Sequence, residues 1–577
     1  MQRSRRLVLQ LGALLLLGLL ALAGRFAWVA VGTHDVSKTR MDRQSNRSEE
    51  IEARRGSLFD RHGRELASSI QTLRVEVLPK NLQQRAETPE RLEPFLAEVA
   101  DFLSPLVAAP RDDLIRRLSG TKWTTLGKPV ADPFALDELE RERRGLLYGV
   151  DFRPGFQRRY PWGSAAGNVI GYVSHESVGV AGIEAGLDDM LAGIDGVRRF
   201  RVDHLGREVA DRTAVEVPAV DGLDVTLTLD ARLQQILEEE ALVAMNSTDA
   251  EGVTVVAMDP RTGDVLGMCS VPGLDLSDRT DRSKEGSVCA ALQEVYPPGS
   301  TFKPLMMAAA LELGLAHLDG PPLDCREFLG PRSIRDTHPS SEPLDLEEII
   351  VHSSNIGMAN LLTRLVPLDR AHDYALMRPM YELLGRLGLG RRTGLPVPAE
   401  VPGLVTPLHR WSRNYTLASV AFGQELGVSA TQMAAAASTL LDGLYRPPRL
   451  VHGLTDGEGV SLKIPSTSGV HVFRPENVRR IRGFMARSVD EGTCAEMRIP
   501  GIPVAGKTGT AQCETKKGAE VHSYVALAPA DDPSLTLVVV VREPQGVRYA
   551  SQSAAPAAGR ILRRLLPYLG FSLADEE

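Results

Sequence analysis

The sequence predicts an α+β protein with more than one domain and an apolar helix at its N-terminus. Its 577 residues exceed what one hydrophobic core usually organises, so we expect two or three domains. The second half has strand-like segments at both ends and a helical centre, which predicts an antiparallel sheet closed by distant segments and flanked by helices. Aromatic residues make up 5% and the formal net charge is −8, which argues against a nucleic-acid-binding protein.

Residues 1–33 predict a cytoplasmic tail and a transmembrane anchor. Three arginines within the first six residues precede an apolar run over 7–24, and a second apolar stretch covers 26–32. This length can cross a bilayer, and the basic residues before it place the N-terminus in the cytoplasm and the rest of the chain outside. A cleaved signal peptide is the alternative, because Ala21-Leu22-Ala23 is similar to a cleavage site. The apolar stretch that resumes afterwards favours the anchor.

The rest of the chain divides into three segments by composition. Residues 34–55 are polar and charged, as in a juxtamembrane linker. Residues 56–219 are of mixed character with turn signals and form a first domain, and residues 220–577 form a second. In the second domain, "LDVTLTLD" alternates like a strand and "GVTVVAMDPRTGDVLGMCS" is typical of a hairpin. "SYVALAPA" and "LTLVVVVRE" predict further strands, and "AAPAAGRILRRLLPYLG" predicts the final amphipathic helix.

The five cysteines predict neither a metal site nor a disulfide framework. They lie at positions 269, 289, 325, 494 and 513, an odd number with no metal-ligand spacing. A domain of this size does not need disulfides to be stable. We therefore expect small buried hydrophobic side chains and no metal.

The stretch "GIPVAGKTGTAQ", residues 501–512, has two interpretations. Counted from Gly501 it matches G-x-x-x-x-G-K-[ST], the loop that holds nucleotide phosphates. Counted from Lys507 it is K-T-G, one of three motifs that acyl-serine penicillin-binding enzymes share. A phosphate loop needs a helix directly after it, but residues 509–514 contain no apolar residues at helical spacing. An exported domain also meets no cytosolic nucleotide, so the sequence favours K-T-G.

Both partner motifs of K-T-G are present. S-x-x-K occurs at 300–303 and S-x-N at 353–355, although 119–122 and 412–414 match the same patterns. Ser300 follows Pro-Pro-Gly and begins a helical run, whereas the residues after Ser119 do not favour a helix. Purely structural explanations remain open for each residue: a helix N-cap for Ser300, a turn for Ser353 and local hydrogen bonding for Asn355.

Lysine usage singles out two of these residues. Of 66 basic residues only ten are lysine, and between 285 and 515 there are three, at 303, 463 and 507. Arginine cannot release its proton near neutral pH, so a general base at this position must be lysine. Residues three apart on a helix share a face, which brings Lys303 within reach of Ser300. Lys303 is therefore the predicted base.

The chain as a whole resembles the class B penicillin-binding proteins, the monofunctional peptidoglycan transpeptidases. "RRGSLFDRHGRELA", "RRYPWGSAAGNVIGYV" and "GVAGIEAGLDDMLAG" are similar to signatures of the family's non-catalytic N-terminal domain. "DPRTGDVLGM", "YPPGSTFKP", "HSSNIG", "FGQELGVSATQMA" and "GKTGTAQ" then follow in the family's order. The length and "SAAPAAGRIL" are most similar to septal members. The resemblance implies an elongated α/β pedestal over 56–219 and a serine transpeptidase fold over 220–577.

The resemblance also implies acyl transfer through a serine ester. Ser300 would attack the D-alanyl-D-alanine carbonyl of a stem peptide, and Lys303, kept neutral by burial and by Lys507, would take its proton. Ser353 would relay that proton to the leaving amine. Asn355 would hold Lys303 and the substrate amide.

The K-T-G segment is implied to bind the substrate. Lys507, Thr508 and Thr510 would contact the terminal carboxylate, and Gly509 would let the substrate backbone lie close to the strand. The oxyanion would bind the backbone N–H groups of Ser300 and Thr510. No cofactor is implied, and β-lactams would acylate Ser300.

Two other functions remain open. A D,D-carboxypeptidase or β-lactamase would use the same residues for hydrolysis, and a catalytically silent division scaffold would use only the pedestal. His352 is expected to be a packing residue, since no G-x-S-x-G motif supports a Ser-His-Asp hydrolase. The family suggests a multi-span glycan polymerase and other division proteins as partners. The expected location is the bacterial inner membrane, single-pass, with the catalytic domain outside; septal and lateral-wall roles both stay open.

Overall fold

The structure, a computed structural model, describes residues 2–28, 46–86, 88–143, 145–202, 208–209, 215–277, 287–492, 497–512 and 519–574. Its contacts divide the chain into two compact units. The first unit comprises Met1–Arg54 and Gly193–Asp221, and the second comprises Arg55–Ala192 and Gly222–Glu577.

The strands, in chain order, are β1 Asn46–Ile51, β2 Leu58–Phe59, β3 Glu65–Val77, β4 Thr124–Thr125, β5 Val150–Arg159, β6 Gly196–Val202, β7 Glu208–Val209, β8 Val215–Val217, β9 Asp224–Leu227, β10 Gly252–Met258, β11 Val265–Val271, β12 Leu404–Val405, β13 Leu426–Gly427, β14 Leu444–Tyr445, β15 Val451–Thr455, β16 Ser461–Lys463, β17 Val470–His471, β18 Ala505–Gln512, β19 Glu520–Ala528 and β20 Leu535–Arg542.

The α-helices are α1 Gln2–Ala27, α2 Pro79–Gln83, α3 Pro89–Leu106, α4 Arg111–Leu118, α5 Pro133–Glu142, α6 Gly167–Ile170, α7 Gly182–Gly186, α8 Asp188–Leu191, α9 Ala231–Thr248, α10 Ala290–Gln293, α11 Lys303–Glu312, α12 Leu346–Val351, α13 Asn355–Leu362, α14 Tyr374–Arg386, α15 Ala418–Val420, α16 Ala430–Ser438, α17 Pro475–Asp490 and α18 Ala554–Tyr568.

The first unit contains α1 and a small sheet. β1 pairs antiparallel with β6, and β7 and β8 also pair with β6. Residues 46–51, part of the segment expected as a linker, therefore form a strand. The start of the apolar N-terminal run is helical, as α1. Measured over the described residues, no helix combines the length and apolar character that a membrane crossing needs.

The N-terminal part of the second unit is a sheet covered by helices. β3 pairs along its length with β5, and β2 joins β3 to β9. The β2–β9 contact is parallel and places Leu58 opposite Val225, so one sheet contains strands from both predicted domains. Apolar side chains of β3 and β5 pack with α3, α4 and α5 in a separate core.

The predicted antiparallel sheet is confirmed in the C-terminal part. Its strand order is β11-β10-β20-β19-β18, and every pairing is antiparallel. The predicted hairpin is β10 with β11, and the pairing of β10 with β20 closes the sheet between distant segments. Alternate residues of β10 enter two different cores: Val253 and Val255 face one, and Val256 and Met258 face the other. Helices therefore cover both faces, which explains why β10 and β11 are buried throughout.

The packing of helices on the sheet and of one turn on its edge strand positions the site. α9 and α18 pack on one face, while α16 lies on the other. β18 is an edge strand, and the turn at Gly299–Phe302 that begins α11 packs against it. The S-x-x-K and K-T-G segments thus meet at this edge of the sheet.

Candidate active site

Ser300 lies in a short 3-10 turn that is held at both ends. The turn spans Gly299–Phe302. The Gly299 N–H donates to the carbonyl of Gly423 (2.9 Å), and the Thr301 hydroxyl donates to the carbonyl of Pro298 (2.6 Å). Neither this turn nor α11 receives a side-chain cap, so the N-cap explanation of Ser300 does not hold. Ser300 is half-buried and lines a cleft of about 690 Å³.

Lys303 begins α11 directly behind this serine and is fully buried. Its backbone N–H donates to the carbonyl of Ser300, one 3-10 turn away. Its Nζ donates to the Ser353 Oγ (3.1 Å) and to the Ser353 carbonyl. Burial, followed by the positive charge of Lys507, lowers the pKa of Lys303 well below its ordinary value, and the Asp336 carboxylate opposes that shift. Within the described ranges, no hydrogen bond joins the Lys303 amine to the Ser300 hydroxyl.

Ser353 occupies a tight turn between α12 and α13. Its φ of 58° is left-handed, a conformation that serine adopts only when its surroundings hold it there. This conformation turns both its hydroxyl and its carbonyl oxygen towards Lys303. The next residue, Ser354, caps α13 by accepting from the Gly357 N–H (2.9 Å).

Asn355 has a different partner from the one expected. Its side-chain amide donates to the carbonyl of Arg335 (2.9 Å), and no hydrogen bond to Lys303 is present in the described part of the chain. The side chain lines the cleft beside Ser353, so it remains available at the substrate side of the turn.

β18 forms the other wall of the cleft. Thr508 and Thr510 line it, and the Thr510 hydroxyl accepts from the Ala550 N–H (3.1 Å). Lys507 is fully buried, and its Nζ donates to the Thr508 carbonyl (3.2 Å). Its positive charge contributes to the lowered pKa of Lys303.

Gly509 lies where β18 passes close to the nucleophile turn. A Cβ at this position would lie 2.8 Å from the Pro298 carbonyl and 2.9 Å from the Thr301 side chain. Glycine is therefore required because the strand packs closely against the nucleophile turn. The contact faces the protein, not a substrate.

The structure also separates the motifs from their duplicates. Lys507 lies in the middle of β18, which excludes the phosphate-loop interpretation. Ser119 follows the last residue of α4 and donates to the Ile115 carbonyl, and Lys122 is exposed. Of the cysteines in the described ranges, 269, 289 and 325 are buried and free, as expected.

Two cleft residues were misjudged or missed by sequence analysis. His352 was expected to pack in the protein, but it is exposed and lines the cleft. Asp336 was not singled out, because it lies in a polar loop, "SIRDTHP", without a motif spacing. Its carboxylate contacts the turn at 353–357, a contact between segments that no local pattern predicts.

Comparisons with known proteins agree with the geometry. Residues 253–563 match the family model of the penicillin-binding protein transpeptidase domain, and residues 50–227 match that of the penicillin-binding protein dimerisation domain. The chain is 31% identical to stage V sporulation protein D of Bacillus subtilis, over 90% of this chain and 79% of that protein. It is 30% identical to the peptidoglycan D,D-transpeptidase FtsI of Escherichia coli, over 96% of this chain and 90% of that protein.

A solved structure has the same fold. Penicillin-binding protein 3 of Mycobacterium tuberculosis, crystallised with aztreonam, superposes with a TM-score of 0.67 at 24% identity. The match covers 91% of this chain and 98% of that one.

Proposed function

The chain belongs to the class B penicillin-binding proteins, and from this premise we propose that it is a peptidoglycan D,D-transpeptidase that acts through an acyl-serine at Ser300. One observation carries the proposal: a fully buried lysine amine donates to a serine hydroxyl on a second segment, directly behind a half-buried serine at a cleft. Burial makes the neutral amine the favoured form, and a neutral amine accepts a proton.

The first half of the reaction forms the acyl-enzyme. The Ser300 Oγ attacks the carbonyl carbon of the penultimate D-alanine, and its proton passes to the Lys303 Nζ. The C–N bond to the terminal D-alanine breaks, and the leaving nitrogen receives the proton through the Ser353 hydroxyl. This hydroxyl lies 3.1 Å from the Lys303 Nζ. Backbone N–H groups of Ser300 and Thr510 would stabilise the oxyanion.

The second half transfers the acyl group. An amine from a neighbouring stem peptide attacks the ester carbonyl and gives up one proton, which passes to the Ser300 oxygen as the C–O bond to Ser300 breaks. Thr508 and Thr510, on the cleft wall, would bind the terminal carboxylate together with the charge of Lys507. A β-lactam presents a similar amide and carboxylate, so we propose that it acylates the same serine and inhibits the enzyme.

A fluorescent penicillin tests the nucleophile. The purified wild-type protein should become covalently labelled, and Ser300→Ala should not be labelled while its melting temperature stays unchanged. Ser119→Ala is the matched control, since this serine belongs to the duplicate S-x-x-K motif, and it should label normally. Equal labelling of Ser300→Ala and wild type would contradict the proposal that Ser300 is the nucleophile.

The lifetime of the adduct distinguishes transfer from hydrolysis. A transpeptidase should keep the β-lactam adduct for hours and should form cross-linked dimers from glycan strands that carry pentapeptide stems. Rapid loss of the adduct would indicate a β-lactamase. Release of D-alanine without dimers would indicate a carboxypeptidase.

We further propose that residues 1–33 anchor the protein in the bacterial inner membrane, with the pedestal (56–219) and the catalytic domain (220–577) outside. The apolar run after three arginines supports this orientation. The protein should resist alkaline extraction of membranes, and externally added protease should digest it in spheroplasts. Recovery in the soluble fraction would contradict the anchor.

A glycan polymerase with several membrane spans is the proposed partner, and the septum is the proposed place of action. The 30% identity to a protein named FtsI supports a division role. The polymerase should co-purify with the full chain, and replacing residues 1–219 should abolish this. Depletion of the protein should produce filamentous cells, whereas spherical cells would indicate a role in the lateral wall.

A further inference from the structure

We infer that Asp336 is a positioning residue for acylation: its carboxylate holds the turn at Ser353–Asn355 in the conformation that presents Ser353 to Lys303. The inference rests on the proposed function, because it assigns Asp336 to the chemistry of that same cleft. Asp336 is half-buried and lines the cleft on the side of this turn.

The carboxylate accepts three hydrogen bonds from three consecutive residues. Oδ2 accepts from the Ser354 hydroxyl (2.6 Å), and Oδ1 accepts from the backbone N–H groups of Asn355 (2.5 Å) and Ile356 (3.0 Å). These two N–H groups are the first of α13, and no partner exists for them within the helix. Asp336 thus caps α13 from a separate segment, in addition to the cap that Ser354 provides.

The neighbouring backbone strengthens the same contact. The Asn355 side chain donates to the carbonyl of Arg335, so two adjacent residues of the 335–336 segment hold the turn. Ser354, the shared member of both caps, is only 2% exposed. The segment and the turn therefore form one polar contact at the wall of the cleft.

This contact has a consequence for Ser353, whose left-handed backbone persists only if neighbouring residues hold it. The three residues after Ser353 are those that Asp336 binds. If the carboxylate is lost, the turn can relax towards an unstrained conformation. The Ser353 hydroxyl and carbonyl would then both move away from the Lys303 amine.

The charge of Asp336 acts on Lys303 as well. Two charged groups influence the lysine: Lys507 on β18, which lowers its pKa, and Asp336, which raises it. Other titratable groups that line the cleft are His338, His352, Glu520, Arg548 and Tyr549. Asp336 therefore limits how far burial weakens the base, which keeps Lys303 basic enough to take the serine proton.

Two substitutions separate the geometric effect from the charge effect. Asp336→Asn keeps the shape and the Oδ1 acceptor but removes the charge, and Asp336→Ala removes both. Asp324→Asn is the control, since Asp324 is exposed and its carboxylate bonds only to Arg326 among described residues. The readout is the second-order rate constant of acylation by a fluorescent penicillin, measured across pH, with the melting temperature of each variant.

We expect Asp336→Ala to lose about 100-fold or more in acylation rate, because it misplaces a proton-transfer group. For Asp336→Asn we expect a smaller loss and an acid limb of the rate profile displaced by about one pH unit to lower pH. Removal of the negative charge makes protonated Lys303 less favourable, so the amine becomes neutral at a lower pH. Asp324→Asn should match wild type in rate and profile.

The inference fails if wild type is acylated and Asp336→Asn has both an unchanged rate and an unchanged acid limb. It also fails if Asp336→Ala remains folded and reacts like wild type. Absence of labelling in wild type would instead contradict the proposed function. If Asp336→Asn is acylated more slowly but its acid limb does not move, Asp336 acts only as a structural cap of α13. The proposed effect of its charge on the pKa of Lys303 is then wrong.

Discussion

Two buried groups of charged side chains in the second unit differ in how their charges are compensated. In the pedestal, Glu184 is fully buried and accepts from the Nε of Arg55 (2.8 Å) and of Arg158 (2.7 Å). In the cleft, Lys303 is equally buried, but its hydrogen bonds within the described residues go to uncharged atoms of Ser353. The pedestal group is an ion-pair network, whereas the cleft holds a lysine whose pKa is lowered, chiefly by burial.

The comparison distinguishes a buried charged group that stabilises the fold from one that takes part in the reaction. A buried ion pair keeps both partners charged and fixes the segments that carry them, here residues 55, 158 and 184. Burial of an amine without a carboxylate in direct contact lowers its pKa, which favours the neutral form that can act as a base. The two groups therefore respond differently to substitution.

The largest effect is expected from Lys303→Arg. Arginine keeps the positive charge but cannot release its proton, so it cannot act as a base. The acylation rate should fall by about 10²–10⁴-fold, the range that general-base catalysis supplies. Stopped-flow labelling with a fluorescent penicillin measures it. Lys463→Arg, at an exposed position of β16, is the control and should react like wild type; an active Lys303→Arg would contradict the comparison.

Glu184→Gln should act on stability instead. The change removes the carboxylate that Arg55 and Arg158 share, although Arg55 keeps its ion pair with Asp188, and should cost about 3 kcal/mol of unfolding free energy. Urea denaturation measures this cost. The folded fraction should still be acylated at the wild-type rate. A large loss of acylation in folded protein would mean that the two groups are coupled.

Glu238 provides an intermediate case, a carboxyl group whose hydrogen-bond donors among the described residues are neutral. It accepts from the Ala166 N–H (2.6 Å) and from the Gln234 amide (2.7 Å), and burial raises its pKa from 4.5 to about 7. The folded state then binds a proton more tightly than the unfolded state, so stability should fall as pH rises between these two values. The loss should reach at most about 3 kcal/mol.

Glu238→Gln should remove this pH dependence, because the amide cannot ionise. Chemical denaturation of both proteins at pH 4.5, 6 and 8 tests it, with the variant relatively more stable at the highest pH. Parallel stability curves for the two proteins would show that Glu238 is not the group responsible.

The smallest effect is expected at an exposed ion pair. Arg143 lies 3.2 Å from Glu140, and both side chains are more than half exposed. Solvent screens this pair, so Glu140→Gln, which leaves the contact of Arg143 with the Phe152 ring in place, should change the unfolding free energy by no more than about 0.5 kcal/mol. A larger change would weaken the argument that burial decides the effect of a charge.

The sequence was sufficient to predict the sheet and the three motifs. The hairpin β10–β11 and the strand β20 follow from β-rich apolar runs and the turn signal between β10 and β11, and Ser300 and Lys303 follow from helical spacing and from the scarcity of lysine. These features depend on residues near each other in the chain. They could be predicted because local periodicity determines them.

The features that could not be predicted depend on contacts between distant segments. The carboxylate of Asp336 reaches a turn about twenty residues later, and the Cβ space at Gly509 is closed by a carbonyl more than 200 residues earlier. The parallel β2–β9 pairing likewise crosses the predicted domain boundary. Such contacts depend on the conformation of the loops between the elements, and periodic patterns in the sequence do not predict that conformation.

The central claim is that Lys303 is a neutral amine in the folded protein. A direct test follows the side-chain Nζ resonance by ¹⁵N NMR during a pH titration, with Lys303→Arg to assign it among only ten lysines. If burial lowers the pKa of Lys303 as described, its resonance titrates well below the ordinary range of lysine and reports an uncharged amine at neutral pH. A Lys303 resonance that titrates together with the exposed lysines would contradict it.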